Sequence, residues 1–255
     1  TIVMTDTDFF DSLETRTTAQ RESEQFELLV GQLRHAKAKA SQYSELLAGI
    51  DPEVVTDRSA LAQLPVTRKS ELSQSQLRDP PFGGYAVSED GDLLRIFASP
   101  GPVFEPQGRR EDFWRFARAL HAAGFRRGDL IHNTFSYHFT PAGFMVDSGA
   151  HALGCTVFAA GTGQTELQVQ AIAVLRPRGY VGTPSFLKII LDKAAETGLE
   201  LASLSVGAVS GEALPNSLRD EISTAGVEVL QAYATADVGL IAYESPAREG
   251  MILDE

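Results

Sequence analysis

The chain has 255 residues, a length that allows one or two domains and a hydrophobic core large enough to fold without disulfides or a structural metal. Its 34 acidic and 22 basic side chains give a formal net charge of −12, which repels nucleic-acid phosphates and anionic lipid surfaces. With 43% hydrophobic and 22% charged residues, the composition is globular and excludes disordered, collagen-like and coiled-coil classes. We therefore expect neither a nucleic-acid partner nor a membrane partner.

A single cysteine, Cys155, excludes an intramolecular disulfide framework and a cysteine-rich zinc site. The first ten residues carry Asp6 and Asp8 and have no basic segment ahead of an apolar run. No stretch reaches the roughly 18 uninterrupted apolar residues of a membrane helix. The sequence therefore predicts a cytoplasmic chain without a signal peptide or membrane span.

Residues 1–90 have the pattern of a helical, loop-rich lead-in. Between Thr17 and Gly49 apolar residues recur at three- and four-residue spacing without proline, which predicts one long amphipathic helix. A short helix is expected near Thr67, and the prolines and glycines between Asp79 and Gly84 exclude helix there. We expect the long helix to pack on a core formed by residues 91–255, although it could also form the contact of a homodimer.

The core alternates short β-branched or aromatic runs with helical patterns. Thr140-Pro141 and Thr183-Pro184 place a capping hydroxyl ahead of a proline, which is a helix start. Repeated strand-helix-strand units require crossover connections, so we predict an α/β fold with a mainly parallel sheet covered by helices. In such folds ligands bind at the carboxyl ends of the strands. The predicted strands are Leu94 to Ala98, Leu130 to Thr134, Thr156 to Ala159, Gly179 to Gly182, Val206 to Ser210, Val227 to Gln231 and Leu240 to Glu244.

The common α/β motifs for dinucleotides, Walker-type phosphate loops, serine hydrolases and zinc proteases are absent from the sequence. Three loops that each follow a predicted strand remain as candidates. They are Ser99 to Pro102, Ser210 to Ala213 and Tyr233 to Asp237. An aromatic ring beside a carboxylate could stack a purine and hold a divalent cation. The structural alternative is that Tyr233 packs under its loop, Glu212 caps a helix and Gly101 only forms a turn.

Taken in order, these loops resemble the adenylate-forming (AMP-binding) superfamily and, in detail, its phenylacetate-coenzyme A ligase branch. Arg95 to Gly101 is similar to the strand that enters the phosphate loop of that family, and Asn133 to Tyr137 to the aromatic segment of its acyl pocket. Further matching segments follow in the same order from about Leu64 to the last residue. They are Ala123 to Asp129, Gly163 to Glu166, Gly182 to Ser185 and Ser210 to Glu212.

The resemblance implies a site for ATP or AMP, Mg²⁺, a small carboxylic acid and coenzyme A as co-substrate. The implied nucleotide-binding residues are Ser99, Gly101, Ser210, Gly211, Glu212, Ala213, Tyr233, Ala234, Thr235 and Ala236. Asp237 would hold magnesium, in place of a glutamate of the family, and His138 is the second candidate catalytic residue. The implied acid-binding residues are Tyr137, Gly182, Thr183, Pro184 and Ser185. The family joins the acid to AMP with release of pyrophosphate and transfers the acyl group to a thiol.

The chain also departs from the family. The phosphate loop of the family is rich in Ser, Thr and Gly and ends in a lysine before a proline, whereas this chain has Pro100, Pro102 and, before Pro106, Glu105. Ala236 stands where a hydroxyl residue is expected, and no cysteines match the metal-binding cysteines of the branch, so we predict no zinc. The C-terminal domain of the family is expected to be absent.

These features lead to a main hypothesis and two alternatives. The main one is the N-terminal portion of an ATP-dependent, AMP-forming acid-coenzyme A ligase for an aromatic or apolar acid, inactive as this chain alone. An inert nucleotide- or acyl-binding homologue is the first alternative, because of the altered phosphate loop. An unrelated α/β enzyme such as a nicotinamide oxidoreductase is the second, and the missing glycine fingerprint argues against it.

Overall fold

The computed structural model describes residues 9–87 and 90–255, so the predictions about Asp6 and Asp8 lie outside the described residues. The chain divides into two compact units, which are described separately. The helical unit comprises residues 11–109 and Glu255, and the sheet unit comprises residues 9 and 10 with residues 110–254. The units divide between residues 109 and 110, and the predicted division into a lead-in of residues 1–90 and a core of residues 91–255 stays a prediction.

The helical unit begins with two helices where the sequence predicts one. Helix α1 (Thr18–Lys39) starts at a capping box formed by Thr17 and Gln20. The backbone becomes extended at Ala40, with φ −109° and ψ 118°, and helix α2 (Ser41–Leu46) follows. The prediction of a single helix is therefore wrong. The backbone N–H of Gln42 donates to the carbonyl of Gly84, a contact between distant parts of the chain that helical periodicity does not reveal.

The rest of the helical unit contains helices α3 (Arg58–Leu61) and α4 (Lys69–Arg78) and strands β1 (Arg95–Ser99) and β2 (Val103–Gln107). The strand predicted near residue 94 exists, but it pairs with β2 as an antiparallel hairpin instead of joining the parallel sheet. Helix α4 lies against this hairpin, because the Gln76 side chain bonds both the N–H and the carbonyl of Phe104 at 2.8 Å. The Gln76 amide thereby provides hydrogen-bond partners for both backbone groups of Phe104 in strand β2.

The sheet unit alternates strands and helices in chain order. Its elements are α5 (Ala117–Ala122), β3 (Leu130–Asn133), α6 (Ala142–Leu153), β4 (Thr156–Ala159), α7 (Thr165–Leu175), β5 (Gly179–Gly182), α8 (Pro184–Thr197), β6 (Val206–Val209), α9 (Asn216–Thr224), β7 (Glu228–Thr235), β8 (Gly239–Glu244) and β9 (Met251–Leu253). Among the described residues they form a seven-stranded sheet in the order β4-β3-β5-β6-β7-β8-β9. The first five strands in this order are parallel to one another. Strand β8 runs antiparallel to β7, and β9 runs antiparallel to β8.

This topology confirms the predicted α/β class. It also locates a crevice between the ends of β3 and β5. Strand β3 has β4 on one side and β5 on the other, so the chain leaves β3 in one direction and returns on the opposite side. The loops after β3 and β5 therefore diverge at the carboxyl ends of neighbouring strands, which is where open α/β sheets bind ligands. Tyr180, Leu187, Ile190 and Ile222 are fully buried around these strands and hold the sheet to its helices. No helix within the described residues is both long and apolar enough to cross a membrane.

Candidate functional site

Loops after β3, β5 and β6 meet at the carboxyl edge of the sheet unit. Gly211 has a φ of +86°, and a Cβ at this position would lie 3.5 Å from Thr183 Cγ2 and 3.7 Å from Phe135 Cε1. The backbone N–H of Ser210 donates to the carbonyl of Gly182 at 3.1 Å. The structure therefore brings together the predicted residues Ser210 and Gly211 with Gly182 and Thr183.

Glu212 and Thr183 cap the start of helix α8. The Ser185 N–H donates to Glu212 Oε1 at 2.7 Å, and Thr183 Oγ1 accepts from the N–H of Phe186. Pro184 is the first helical residue, as the Thr-Pro pattern predicts. Glu212 therefore caps a helix, as the structural alternative predicted. A carboxylate at a helix N-terminus stabilises the helix. Ala213 follows as an exposed residue.

Gly182 leaves space for two buried hydroxyl groups. A Cβ on Gly182 would lie 2.0 Å from Thr134 Oγ1 and 2.3 Å from Tyr180 Oη. Thr134 Oγ1 donates to Tyr180 Oη at 2.8 Å, and Tyr180 Oη donates to the Thr183 carbonyl at 3.0 Å. Burial raises the pKa of Tyr180, so its hydroxyl stays protonated. These bonds fix the end of β3 relative to the end of β5.

The loop after β3 carries Tyr137 and His138. Asn133 Nδ2 donates to Tyr137 Oη at 2.8 Å, and Tyr137 Oη donates to Asp147 Oδ1 at 2.7 Å. Burial, followed by the hydrogen bond to Asp147, raises the pKa of Tyr137 well above its usual range. His138 is exposed, and its backbone N–H donates to Ser136 Oγ. The roles predicted for Tyr137 and His138 in acid binding and catalysis stay predictions.

His132 precedes this loop and is fully buried. Its Nε2 bonds Gln168 Oε1, while Gln168 Nε2 donates to the carbonyls of Gly161 and Gly163. Since the Gln168 oxygen is the acceptor, His132 Nε2 carries the proton, and Nδ1 has no hydrogen-bond partner among the described residues. Burial lowers the pKa of His132. The neutral ring therefore ties β3 to the loop after β4.

The tyrosine segment lies mostly in strand β7, which continues to Thr235 instead of ending at Gln231. The predicted loop from residue 233 is therefore wrong for its first residues, because Tyr233 pairs with Ala242 and Ala234 sits at an irregularity of the ladder. Tyr233 is 55% exposed, which excludes the alternative that it packs under its loop. Ala236 and Asp237 form the turn to β8, where Thr235 Oγ1 accepts from the N–H of Val238.

The turn between β7 and β8 is supported by Trp114 and Arg115, which the sequence analysis did not predict as functional residues. Trp114 Nε1 donates to the Ala236 carbonyl at 3.3 Å, and Arg115 donates to the Val238 carbonyl at 3.0 Å. The Asp112 carboxylate bonds the N–H groups of Phe116 and Ala117, which begin helix α5. Burial raises the pKa of Asp112. The lone tryptophan was a signal in the sequence, whereas nothing local linked Arg115 to a turn more than a hundred residues later.

Ser99 and Gly101 lie in the hairpin of the helical unit. Ser99 ends β1, and Gly101, with a φ of +149°, forms the turn between Pro100 and Pro102. Ser99 Oγ donates to Glu105 Oε1 at 2.7 Å, and Lys69 Nζ donates to the same oxygen at 3.0 Å. Glu105 is buried, and its Oε2 has no hydrogen-bond partner among the described residues. The Glu105 carboxylate thus occupies the Ser99 and Lys69 donors that an anion bound at this hairpin would need.

Over residues 9–87 and 90–255, no group of three or more His, Cys, Asp or Glu side chains is placed to hold a metal ion. A single carboxylate such as Asp237 fits magnesium only together with substrate phosphates, which is the common mode for that ion.

Comparisons with known proteins agree with this architecture. No protein-family profile matches the chain. Phenylacetate-coenzyme A ligases from Aromatoleum evansii and Pseudomonas putida are each 30% identical to it, over 84% and 89% of this chain. A ligase of the same name from Escherichia coli strain K12 is 31% identical over 89% of this chain. The matches cover 50% to 54% of these proteins, so the chain spans about half the length of the curated relatives it matches.

Among solved structures, an open conformation of 2-hydroxyisobutyryl-CoA ligase in complex with 2-HIB-AMP and CoA matches 99% of this chain and 59% of its own. The TM-score is 0.90 and the sequence identity is 23%, so this likeness speaks to the fold. The fold and the sequence matches together agree with the resemblance to the adenylate-forming superfamily. Within it, the chain is homologous to part of the phenylacetate-coenzyme A ligases, as the resemblance implied.

Proposed function

We propose that the chain is the acid- and adenylate-binding part of an ATP-dependent, AMP-forming acid-coenzyme A ligase for an aromatic or other apolar carboxylic acid. The observation that supports this most is the meeting of three loops at the carboxyl ends of β3, β5 and β6, where Gly211 lies next to Thr183 and Phe135. The crevice between the ends of β3 and β5 is the place where open α/β sheets bind their ligands.

In this proposal Ser210, Gly211, Glu212 and Ala213 border the adenine and ribose, and Tyr233 stacks on the base. The exposure of Tyr233 and the support of its hairpin turn by Trp114 and Arg115 suit an aromatic platform that is held in place. Asp237 on the turn would hold magnesium on the phosphates of ATP. The acid carboxylate attacks the α-phosphate and pyrophosphate leaves; the thiol of coenzyme A then attacks the acyl carbon of the adenylate, and AMP leaves as the thioester forms.

An inert nucleotide- or acyl-binding homologue is the second candidate, and one observation favours it. Glu105 already accepts hydrogen bonds from Ser99 and Lys69, and Pro100 and Pro102 supply no N–H groups to the turn. A hairpin in this state is poor in donors for the phosphates of ATP. Such a homologue would bind AMP or an acyl adenylate without activating an acid.

Calorimetric titration with AMP, ATP and Mg²⁺, CoA and NAD tests the proposal. Asp237→Asn should weaken binding of ATP with Mg²⁺ by about tenfold and leave AMP affinity unchanged, because only the triphosphate complex carries the ion. Asp220→Asn, at an exposed position of helix α9, is the control and should change neither. Equal effects of Asp237→Asn on both nucleotides favour the inert homologue. A chain that binds NAD but not AMP would contradict both the ligase proposal and the inert homologue.

A further inference from the structure

The hydroxyl group of Tyr137 is fully engaged inside the protein. It donates its proton to Asp147 Oδ1 at 2.7 Å and accepts from Asn133 Nδ2 at 2.8 Å. Asn133 is itself fixed, because its Nδ2 also donates to the Gly143 carbonyl and its Oδ1 accepts from the N–H of Phe135. A phenol with one donated and one accepted bond of good length has little capacity left for a ligand.

The ring of Tyr137 is fixed as firmly as its hydroxyl. A Cβ on Gly143 would lie 3.0 Å from Cδ1 and Cε1 of the ring and 2.8 Å from the Ser136 carbonyl, so only glycine fits beneath it. Phe144 meets the same ring edge to face, at 5.2 Å between centroids. Tyr137 remains half-buried, so part of it is still open to a ligand. Since its oxygen is used internally, the open part can offer only carbon surface.

Resting on the proposed function, we infer that Asp147 is a positioning residue that holds Tyr137 as an apolar, non-hydrogen-bonding wall of the acid site. The group of the acid that meets Tyr137 is then an aromatic or alkyl group without a hydroxyl. Among matched acids, phenylacetate should bind better than mandelate, and isobutyrate better than 2-hydroxyisobutyrate. A hydroxyl placed against the ring would lose its water without gaining a partner.

The test uses calorimetric titration of the full chain with these four acids in the presence of AMP. Asp147→Ala should lower the affinity for phenylacetate by roughly tenfold, because the ring loses its anchor. Asp147→Asn retains an oxygen that accepts from Tyr137 and should restore most of the affinity. Tyr137→Phe removes the same bond to Asp147 and should lower the affinity for phenylacetate by a similar factor. Asp192→Ala, on the exposed face of helix α8, is the control.

Spectrophotometric titration of tyrosine adds a readout that a general loss of packing would not reproduce. The difference between wild type and Tyr137→Phe assigns the Tyr137 signal, and its pKa should fall in Asp147→Asn because the carboxylate charge is gone. Unchanged acid affinities and an unchanged tyrosine titration in both Asp147 variants would overturn the inference. So would a Tyr137→Phe variant that loses affinity for the hydroxylated acids alone, since the phenol would then contact the ligand.

The two levels of the proposal fail in different ways. A wild-type chain that binds AMP but none of the four acids overturns the inference and leaves the adenylate proposal standing. A chain that binds neither AMP nor any acid overturns the proposed function and with it the assignment of Tyr137 to an acid site.

Discussion

At the residue scale, Glu105 is the side chain that most separates this hairpin from a phosphate-binding loop. Its carboxylate is buried and accepts from both Ser99 and Lys69. Lysine in its place would put a second ammonium beside Lys69 in a buried setting, which costs several kcal/mol without a partner. Glutamine is therefore the informative replacement, because it keeps an acceptor for Ser99 and removes the charge.

We expect Glu105→Gln to raise the affinity of the protein for inorganic pyrophosphate by about tenfold, because the anionic side chain no longer repels the ligand or holds Lys69. Titration at fixed ionic strength measures this. Glu45→Gln, at an exposed position of helix α2, removes the same charge from the same unit and should leave the affinity as in wild type. Equal pyrophosphate affinities in all three proteins would show that the hairpin does not approach phosphate.

His132 makes the stability of the protein depend on pH. Burial lowers its pKa in the folded chain, whereas the unfolded chain titrates at about 6.5. Below that pH the unfolded state binds the extra proton, so the free energy of unfolding should fall as the pH is lowered, by at most about 1.4 kcal/mol per pH unit. Urea unfolding at several pH values should give a flatter dependence for His132→Gln. His151→Gln, at an exposed position, should keep the wild-type slope, and identical slopes for wild type and His132→Gln would contradict this account.

Residue identities predicted the site only in part. The Thr-Pro pattern at Thr183 correctly placed a helix start, because a capping hydroxyl and a proline act locally. The support that Trp114 and Arg115 give to the Ala236 to Val238 turn comes from a segment far away in sequence, and no local pattern carries that information. The pairing of Glu105 with Lys69 has the same origin.

At the scale of elements, the parallel strands and strand β8 were predictable from the sequence, whereas strands β2 and β9 and the break after helix α1 were not. Buried strands such as β5 are short apolar runs bounded by glycine, so sequence alone delimits them. Strand β2 was not predicted because it contains Glu105 and Pro106. Strand β9 was not predicted because it is an exposed edge strand with no alternating pattern. The break after α1 escaped because Ala40 is a good helix former, and the extended backbone there coincides with a tertiary bond from Gln42 to Gly84.

The end of β5 should tolerate no side chain at Gly182. A methyl group there overlaps the hydroxyls of Thr134 and Tyr180, so we expect Gly182→Ala to destabilise the fold by about 3 kcal/mol or more. Chemical denaturation measures the loss. Gly31→Ala, at an open position on helix α1 with no atom near the added Cβ, should instead be neutral or stabilising by up to about 1 kcal/mol. Wild-type stability of Gly182→Ala would show that β3 and β5 do not meet as described.

At the scale of the whole molecule, sequence and structure agree that the chain is homologous to part of the phenylacetate-coenzyme A ligases. The parallel sheet presents its loops at one edge, and homologous ligases match the chain over about half of their length. Under the proposed function, what distinguishes this chain is that Tyr233, the residue proposed to stack on adenine, is exposed, whereas Ser99 of the hairpin is already bonded to Glu105. That contrast predicts a protein that binds AMP more readily than ATP.

Calorimetric titration of wild type and Tyr233→Ala with AMP tests the central claim most directly. Because Tyr233 is 55% exposed, its removal should leave the urea unfolding curve nearly unchanged, as should the control Val174→Ala at a residue that is 79% exposed. Loss of base stacking should weaken AMP binding by about 1 to 3 kcal/mol in Tyr233→Ala and not in Val174→Ala. Wild-type protein that binds no AMP, or equal AMP affinities in all three proteins, would contradict the assignment of an adenylate site to this edge of the sheet.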